Sequence, residues 1–493
     1  MRIFGAAKII IILYLCFDIL VDMRDIRERF ALLFDEGSFE EFSVEDAAGV
    51  RTAKGYVYGR PVYAYAHDSS VSGGAMSEQM ALKICKLMDM AYEAFAPIVS
   101  LNDSVGAKIQ DGVSSLAGFG EIFRRNIRYS GVVPQISCIL GPCAGGAVYS
   151  PALTDFTVMV RDSSYMFVTG PSVVRTVTGE NVGLDELGGA IVHSSKSGVA
   201  HYMASDEEDA MRWIRELLSF LPSDNKSPVT QKHTCGALEC AGVELANIVP
   251  ENPAKAYDVL QVVRAVMDEG KFFEIHGAWA KNILTGFARI DGRTVGIVAN
   301  QPKMLAGVLD VNASRKAARF VRFCDAFNIP LITFVDVPGF LCGTQQEQNA
   351  IITHGAKLLY AYGEATVPKV TVTLRKSYGG AHITMSCKQL GGDYNFAWPS
   401  ANIAVMGVDG AVEILYAKEL RGVEDPHLRR EIVSQKKMEY QDKFCDLYRV
   451  VAQGYVDEVI RPEDTRSKII SALRNLEEKK CSTPWKKHDN LPL

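Results

Sequence analysis

Two short strings carry the chemistry of this chain, Gly145-Gly146-Ala147 and Gly379-Gly380-Ala381. Each follows an apolar run opened by x-Pro, Val133-Pro134-Gln135-Ile136-Ser137 in one case and Val367-Pro368-Lys369-Val370-Thr371 in the other. A strand that ends in Gly-Gly-Ala and passes into a helix leaves the amides of the first helical turn without intrahelical partners. Two glycines let a ligand reach the main chain with no Cβ in the way. The partial positive charge of a helix start adds attraction for a negative oxygen. Such a corner is a candidate oxyanion hole, where loss of one donor costs about 3–4 kcal/mol in the transition state. For a single Gly-Gly-Ala, a plain strand-to-helix turn is the simpler reading. Two at equivalent places favour paired holes, for a reaction with two anions to stabilise.

The elements that must hold these corners also come in duplicate, and a fixed offset is the mark of a repeat. Gly59-Arg60-Pro61-Val62 opens an apolar strand over 62–66, and Gly292-Arg293-Thr294-Val295 opens another over 295–299, 233 residues further on. Apolar-periodic helices are expected over 78–94 and 314–327. Each ends at x-Pro and runs into a buried strand, Pro97 to Asp103 and Pro330 to Asp336, again 233 residues apart. The later x-Pro strands and the glycine corners recur at 234. Four landmarks within one residue of a constant offset predict a duplication, with parallel βαβ layers in each copy. The stretch Pro222 to Pro253 is rich in Pro, Ser and Asn and reads as a linker. Asp425 to Asn475 predicts a charged, helical tail packed across the body or a neighbour.

Composition sets the outer limits. The 493 residues suggest roughly two to four domains. Hydrophobic residues make up 48% and charged ones 23%, an ordinary globular balance. A net charge of −5 gives no global basic field for nucleic acid, so a phosphate ester would depend on local cations or amides. The eleven cysteines include no C-x-x-C pair. Cys138 with Cys143, and Cys235 with Cys240, are too widely spaced for a zinc ribbon, so no metal is expected. Ile9 to Phe17 is continuously apolar but shorter than the about 20 residues that span a bilayer. The expected start of the protein is Met23, with a weak membrane anchor as the alternative.

Several longer strings resemble the carboxyltransferase (beta) subunits of biotin-dependent acyl-CoA carboxylases and decarboxylases. They are Gly141-Pro142-Cys143-Ala144-Gly145-Gly146-Ala147-Val148-Tyr149-Ser150-Pro151-Ala152, Tyr165-Met166-Phe167-Val168-Thr169-Gly170-Pro171, and His354-Gly355-Ala356-Lys357-Leu358-Leu359-Tyr360-Ala361-Tyr362. Asn300-Gln301-Pro302, Asp336-Val337-Pro338-Gly339-Phe340, and Ala404-Val405-Met406-Gly407 with Gly410-Ala411 also match. The resemblance runs from about Met23 to the C-terminus. It implies an α/β fold of two tandem crotonase-like domains, a duplicated ββα spiral. An N-terminal carboxyltransferase domain over 23–225 would take acyl-CoA, and a C-terminal one over 254–493 would take biotin. Residues 226–253 would link them, and 1–22 would be a non-native or weakly apolar extension.

The resemblance also implies roles. Gly145 and Gly146 would hold the thioester oxygen as it becomes an enolate, and Gly380 and Ala381 the ureido oxygen of biotin. Lys108, Ala147, His382 and Ile383 would contact substrate. No protein nucleophile is needed, so His193, His201 and His354 read as structural. The chain has no Ala-Met-Lys-Met biotinylation site and no glycine-rich ATP segment. Biotin would therefore ride on a separate carrier protein, with a biotin carboxylase subunit or a membrane decarboxylase subunit as further partner. A homo-hexamer is implied, cytoplasmic or membrane-associated through a partner.

The chain departs from the family pattern at Val105 and Lys108, which replace Gly and Arg, and at Gln348-Asn349-Ala350, which replace Tyr-Gly-Gly. Val105 would strain a turn that needs positive φ. Lys108 keeps the charge but lacks the planar fork of Arg. His382 and Ile383 stand where Tyr and Asp are common. Two rival readings are a crotonase-type hydratase or hydrolase, which gives no reason for two holes, and a scaffold subunit without catalysis.

Overall fold

The computed structural model describes residues 24–42, 49–232, 245–444 and 446–492. The expectations for residues 1–22, Met23, Cys235 and Cys240 fall outside the described residues. The first copy contributes Glu40–Phe42 (β1), Val50–Val57 (β2), Arg60–His67 (β3), Ile98–Ser104 (β4), Gln135–Ala144 (β5), Phe156–Val160 (β6), Tyr165–Phe167 (β7) and Tyr202–Ala204 (β8). They form one sheet in the order β1-β2-β3-β4-β5-β6-β8, with β7 beside β5. The second copy contributes Phe273–Ile275 (β9), Ile283–Ile290 (β10), Arg293–Asn300 (β11), Leu331–Val337 (β12), Lys369–Tyr378 (β13), Tyr394–Ala397 (β14), Asn402–Ala404 (β15) and Glu458–Val459 (β16). Its order is β9-β10-β11-β12-β13-β14-β16, with β15 beside β13. The two sheets have one topology.

Local chemistry explains why the copies agree. Each sheet opens with an antiparallel hairpin whose two turn residues both have positive φ: Tyr58 (+50°) and Gly59 (+72°), then Asp291 (+53°) and Gly292 (+75°). That geometry matches the right-handed twist of the strands it joins. From β3 and from β11 onward the neighbours are parallel, which requires crossover helices. In chain order the principal helices are Ile26–Leu33 (α1), Glu78–Glu93 (α2), Val113–Tyr129 (α3), Glu207–Phe220 (α4), Val311–Ala326 (α5) and Ile351–Glu364 (α6). Ser77 caps α2 by accepting the amide of Met80, and Asp310 caps α5 by accepting that of Ala313. The second helix therefore begins three residues before the apolar period suggested, at Val311 directly after the Asp310 cap.

Helices α2 and α3 cover one face of the first sheet. Its other face, with α1 and α4, shares a single core with α5 and α6 of the second copy. Phe156 meets Phe323 edge-on at 4.7 Å, and Phe287 lies 6.2 Å from Phe156. The amide of His276 donates to the carbonyl of His201 at 3.0 Å, joining the ends of the two sheets.

Two expectations change. The stretch 425–475 is not wholly helical, since β16 within it completes the second sheet as β8 completes the first. The linker is tied down at 230–232: Thr230 bonds Thr294 at 2.9 Å, and the amide of Lys232 donates to Gly292 at 2.9 Å. Among the described residues no helix is long and apolar enough to cross a membrane.

Candidate active site

Both glycine corners occur where the sequence places them, at the C-terminal ends of β5 and β13. Gly145 has φ +60° and Gly379 φ +58°, so each starts the turn in the left-handed region that glycine tolerates. Helical turns follow at once, Gly145–Val148 in one copy and Gly379–Thr384 in the other, and no side chain caps either. Matched by backbone conformation, Gly145 pairs with Gly379, Gly146 with Gly380 and Ala147 with Ala381. The pair Gly145 and Gly146 therefore stands one position before the pair Gly380 and Ala381. Main-chain oxygens flank both corners from the short strands alongside: a Cβ on Gly379 would lie 3.0 Å from the carbonyl oxygen of Val405, and one on Gly145 4.0 Å from that of Val168.

The walls differ. Phe119 presses on the first corner, 3.0 Å from a Cβ built on Gly146, whereas Phe340 stands 3.8 Å from one built on Gly380. Gly146 is half-buried and Gly380 exposed, while Ala147 and Ala381 are buried. His382 is half-buried, its Nδ1 2.9 Å from Ser377 Oγ, and burial lowers its pKa. Ile383 is 47% exposed, free to contact a ligand.

Lys108 lies in the loop after β4, its ammonium 3.4 Å from Asp111. That loop reaches the first corner through Gly106, where a Cβ would sit 2.7 Å from the carbonyl oxygen of Ala144. Gly106 carries the positive φ of this loop, +105°; Val105 is absent from the positive-φ residues and is not strained in the way its type suggested. Cys143, two residues before the corner, is buried and its thiol is pushed up to about 12, far from a nucleophilic thiolate. His193 bonds the carbonyl of Met166 at 2.7 Å, and His201 accepts the Thr157 amide at 3.0 Å. His354 is half-buried with Nδ1 lacking a partner.

Sequence reasoning missed the supports behind the corners. The pairing of β4 with β5 slips at Asp103, and that of β12 with β13 slips at Asp336, 233 residues on. Bulges of this kind bend a strand and re-aim it beside active sites. Both carboxylates are buried, and burial pushes both above the usual range. Gly74 and Gly307, at the same offset, crowd the carbonyl oxygens of these two residues, where a Cβ would approach within 2.1 and 2.7 Å. The recurrence of Asp at a fixed offset was the signal available in the sequence.

Two sheets of one strand order, each closing on an amide-bearing glycine corner, define a duplicated α/β enzyme of the crotonase-like type. The chain belongs to the carboxyl transferase family: residues 17–491 match the family described as "Carboxyl transferase domain". It is a carboxyltransferase component. It is 55% identical over 482 residues to a propionyl-CoA carboxylase carboxyltransferase subunit of Haloferax mediterranei, covering 95% of this chain and 93% of that one. It is 51% identical over 484 residues to the mitochondrial propionyl-CoA carboxylase beta chain of Homo sapiens, covering 95% and 88%. A solved structure of transcarboxylase 12S, described as a hexamer with hydrolysed methylmalonyl-CoA bound, superposes with a TM-score of 0.91 at 46% identity, over 96% of this chain and 93% of that one.

Proposed function

We propose that the chain moves a carboxyl group between biotin, carried on a separate protein, and a short-chain acyl-CoA, with propionyl-CoA and methylmalonyl-CoA as the pair. The observation that carries this reading is the matched pair of corners at one register of two like sheets. The relatives named propionyl-CoA carboxylase and the methylmalonyl-CoA in the transcarboxylase structure support the choice of acyl group. The relatives' names also favour carboxylation over decarboxylation as the working direction.

The assignment divides the chain as the sequence suggested, with acyl-CoA on 23–225 and biotin on 254–493. At the first corner the amides of Gly145 and Gly146, with Ala147 beside them, face the thioester oxygen and lower the energy of the enolate that forms there. An amide already in place costs no reorganisation when charge develops, which is why such donors count for so much. Ile383 contributes apolar surface to the acyl pocket, and Lys108 offers its charge to a CoA phosphate. The second corner fits a planar urea: Gly380 is exposed, and Gly379 leaves open the space that a Cβ beside Val405 would fill. Biotin, when bound, supplies a carboxylated ring nitrogen beside a carbonyl oxygen. Gly380 and Ala381 orient that oxygen and withdraw charge from the adjoining nitrogen.

The proposed partners are a biotin carrier protein and a biotin carboxylase subunit, in the cytoplasm, around a homo-hexamer in which the acyl-CoA half of one protomer faces the biotin half of another. Light scattering tests the stoichiometry, six chains of 54.1 kDa. The decisive assay mixes purified protein with methylmalonyl-CoA and free biotin and follows loss of the carboxyl group. Biotin-dependent loss is expected. Turnover that ignores biotin would instead indicate a hydrolase, and silence from folded protein a scaffold.

A further inference from the structure

Away from the first corner, the joint between the two copies forms an open cavity of about 500 Å³. It lies at the other end of the strands. Asp155 on its wall accepts the amide of Gln135, the first residue of β5, whereas the first corner follows Ala144, the last. A strand of that length spans about 30 Å.

Helix α5 runs along the cavity. Arg315, Arg319 and Arg322 recur on it at i, i+4 and i+7, which places three guanidinium groups on one face. Lys357 of α6 stands across from them. Some of this charge is already matched. Arg322 pairs with Glu364 at 2.8 Å and Asp489 at 2.9 Å, and Arg319 donates to the Thr154 carbonyl at 2.6 Å. Lys316, deeper in, is spent on the carbonyls of His276, Trp279 and Ile283. Arg315 and Lys357 have no carboxylate within ion-pair reach among the described residues. They are close enough that Arg315, after burial, helps to lower the pKa of Lys357. Arg315 is exposed, its guanidinium 5.4 Å from the centre of the Trp279 ring, and Lys357 is half-buried, so both charges are open to an anion arriving from solvent.

A second observation is independent of charge. His201 lines the cavity and is only 7% exposed. Its Nδ1 accepts the amide hydrogen of Thr157, which leaves the ring proton on Nε2. That N–H has no acceptor among the described residues. It is not sealed from solvent, so it is open to a water or a ligand oxygen in the cavity.

We propose that this cavity is a second anion site that binds an oligophosphate, bridging Arg315, Arg319 and Lys357, with His201 Nε2–H donating from the wall. Asp155 is the opposing carboxylate there, held by the Gln135 amide. Inorganic polyphosphate and the triphosphate of a nucleotide share this chemistry.

The test is isothermal titration of the intact protein with tripolyphosphate, with ATP, and with tripolyphosphate after saturation by CoA. Both phosphates should bind, and saturating CoA should leave that binding unchanged. Arg315→Glu and Lys357→Glu should each weaken it at least tenfold, and biotin-dependent decarboxylation should stay within twofold of wild type. Arg315→Met, checked by circular dichroism, supplies the same reading if the charge reversal does not fold. ATP binding tenfold tighter than tripolyphosphate assigns the site to nucleotides, and equal affinity assigns it to the phosphate chain alone. The proposal falls if the substitutions leave affinity unchanged, or if CoA displaces tripolyphosphate. It also falls if Arg315→Glu splits the oligomer with no change in phosphate affinity, which would make this face a subunit contact.

Discussion

The two copies place an aspartate at the same bulge behind each corner and neutralise it by different means. In the second copy the cation comes from the next strand: Arg375 Nε lies 2.9 Å from Asp336 Oδ2, and the guanidinium also donates to the carbonyls of Pro250, Asn252 and Lys255. In the first copy the residue matching Arg375 is Gly141, and a Cβ there would come within 2.3 Å of Asp103 Oδ1. The cation comes instead from α1, Arg29 at 4.0 Å, helped by the Ser69 hydroxyl at 2.7 Å. A duplicated frame thus keeps the carboxylate and lets its partner migrate. The second corner is supported from the next strand, whereas the first depends on a helix at the beginning of the described chain.

Four measurements would sharpen or break this contrast. Arg375→Ala takes the nearer cation from buried Asp336 and leaves it the Lys376 amide at 3.1 Å and ammonium at 4.0 Å, and should cost about 3 kcal/mol in denaturant unfolding. Arg29→Ala also breaks a bidentate contact with Glu207 at 2.7 and 3.1 Å, so it is read against Glu207→Ala; the part left for the 4.0 Å contact with Asp103 should be smaller than the Arg375 loss, and equal losses would erase the distinction between the copies.

The next effect is acid sensitivity. His67 is buried with neither ring nitrogen paired and titrates at about 4, lowered by burial, whereas Asn300 at the matching place bonds Gly307 and the Asp336 amide. Between pH 6.5 and 4 the unfolded chain binds a proton at His67 that the folded chain refuses. Stability from this group is therefore complete above 6.5 and lost as pH falls toward 4, by roughly 3 kcal/mol at most. The variant His67→Asn should flatten that limb of the stability curve, and an unchanged slope would remove His67 from the account.

At the corners, alanine at Gly379 meets both the left-handed φ and the Val405 oxygen, while alanine at Gly145 meets the φ alone. Displacing a hole donor should lower kcat about a hundredfold in Gly379→Ala, and less in Gly145→Ala. The smallest effect is Gly141→Ala, which crowds Asp103 and should cost about 1–3 kcal/mol by thermal unfolding. A stable Gly141→Ala would mean that the Asp103 carboxylate has room to move.

Much of the frame was legible because its signals are local and repeated. The x-Pro strands, the strand openings at Gly59-Arg60 and Gly292-Arg293, and the two Gly-Gly-Ala strings each announce themselves within four residues. The supports were not. Arg29 meets Asp103 across more than seventy positions, and nothing near either residue marks the other. β16 is two residues long, too short to leave a period, and it follows the helix Pro426–Phe444, whose charged sequence dominates the stretch. Val105 suggested strain because a glycine was expected there, yet the backbone reversal falls one residue later, on Gly106.

The phenylalanine seam between the copies bears on how the molecule comes apart. Phe156, Phe287 and Phe323 each lie within about 6 Å of the other two, and no ring belongs to one copy alone in the sense of finding its cover there. Severing the chain between residue 232 and residue 245 would not free two halves. The fragments would stay clasped, since either one by itself would present wet aromatic rings to solvent, and melting would remain a single cooperative event.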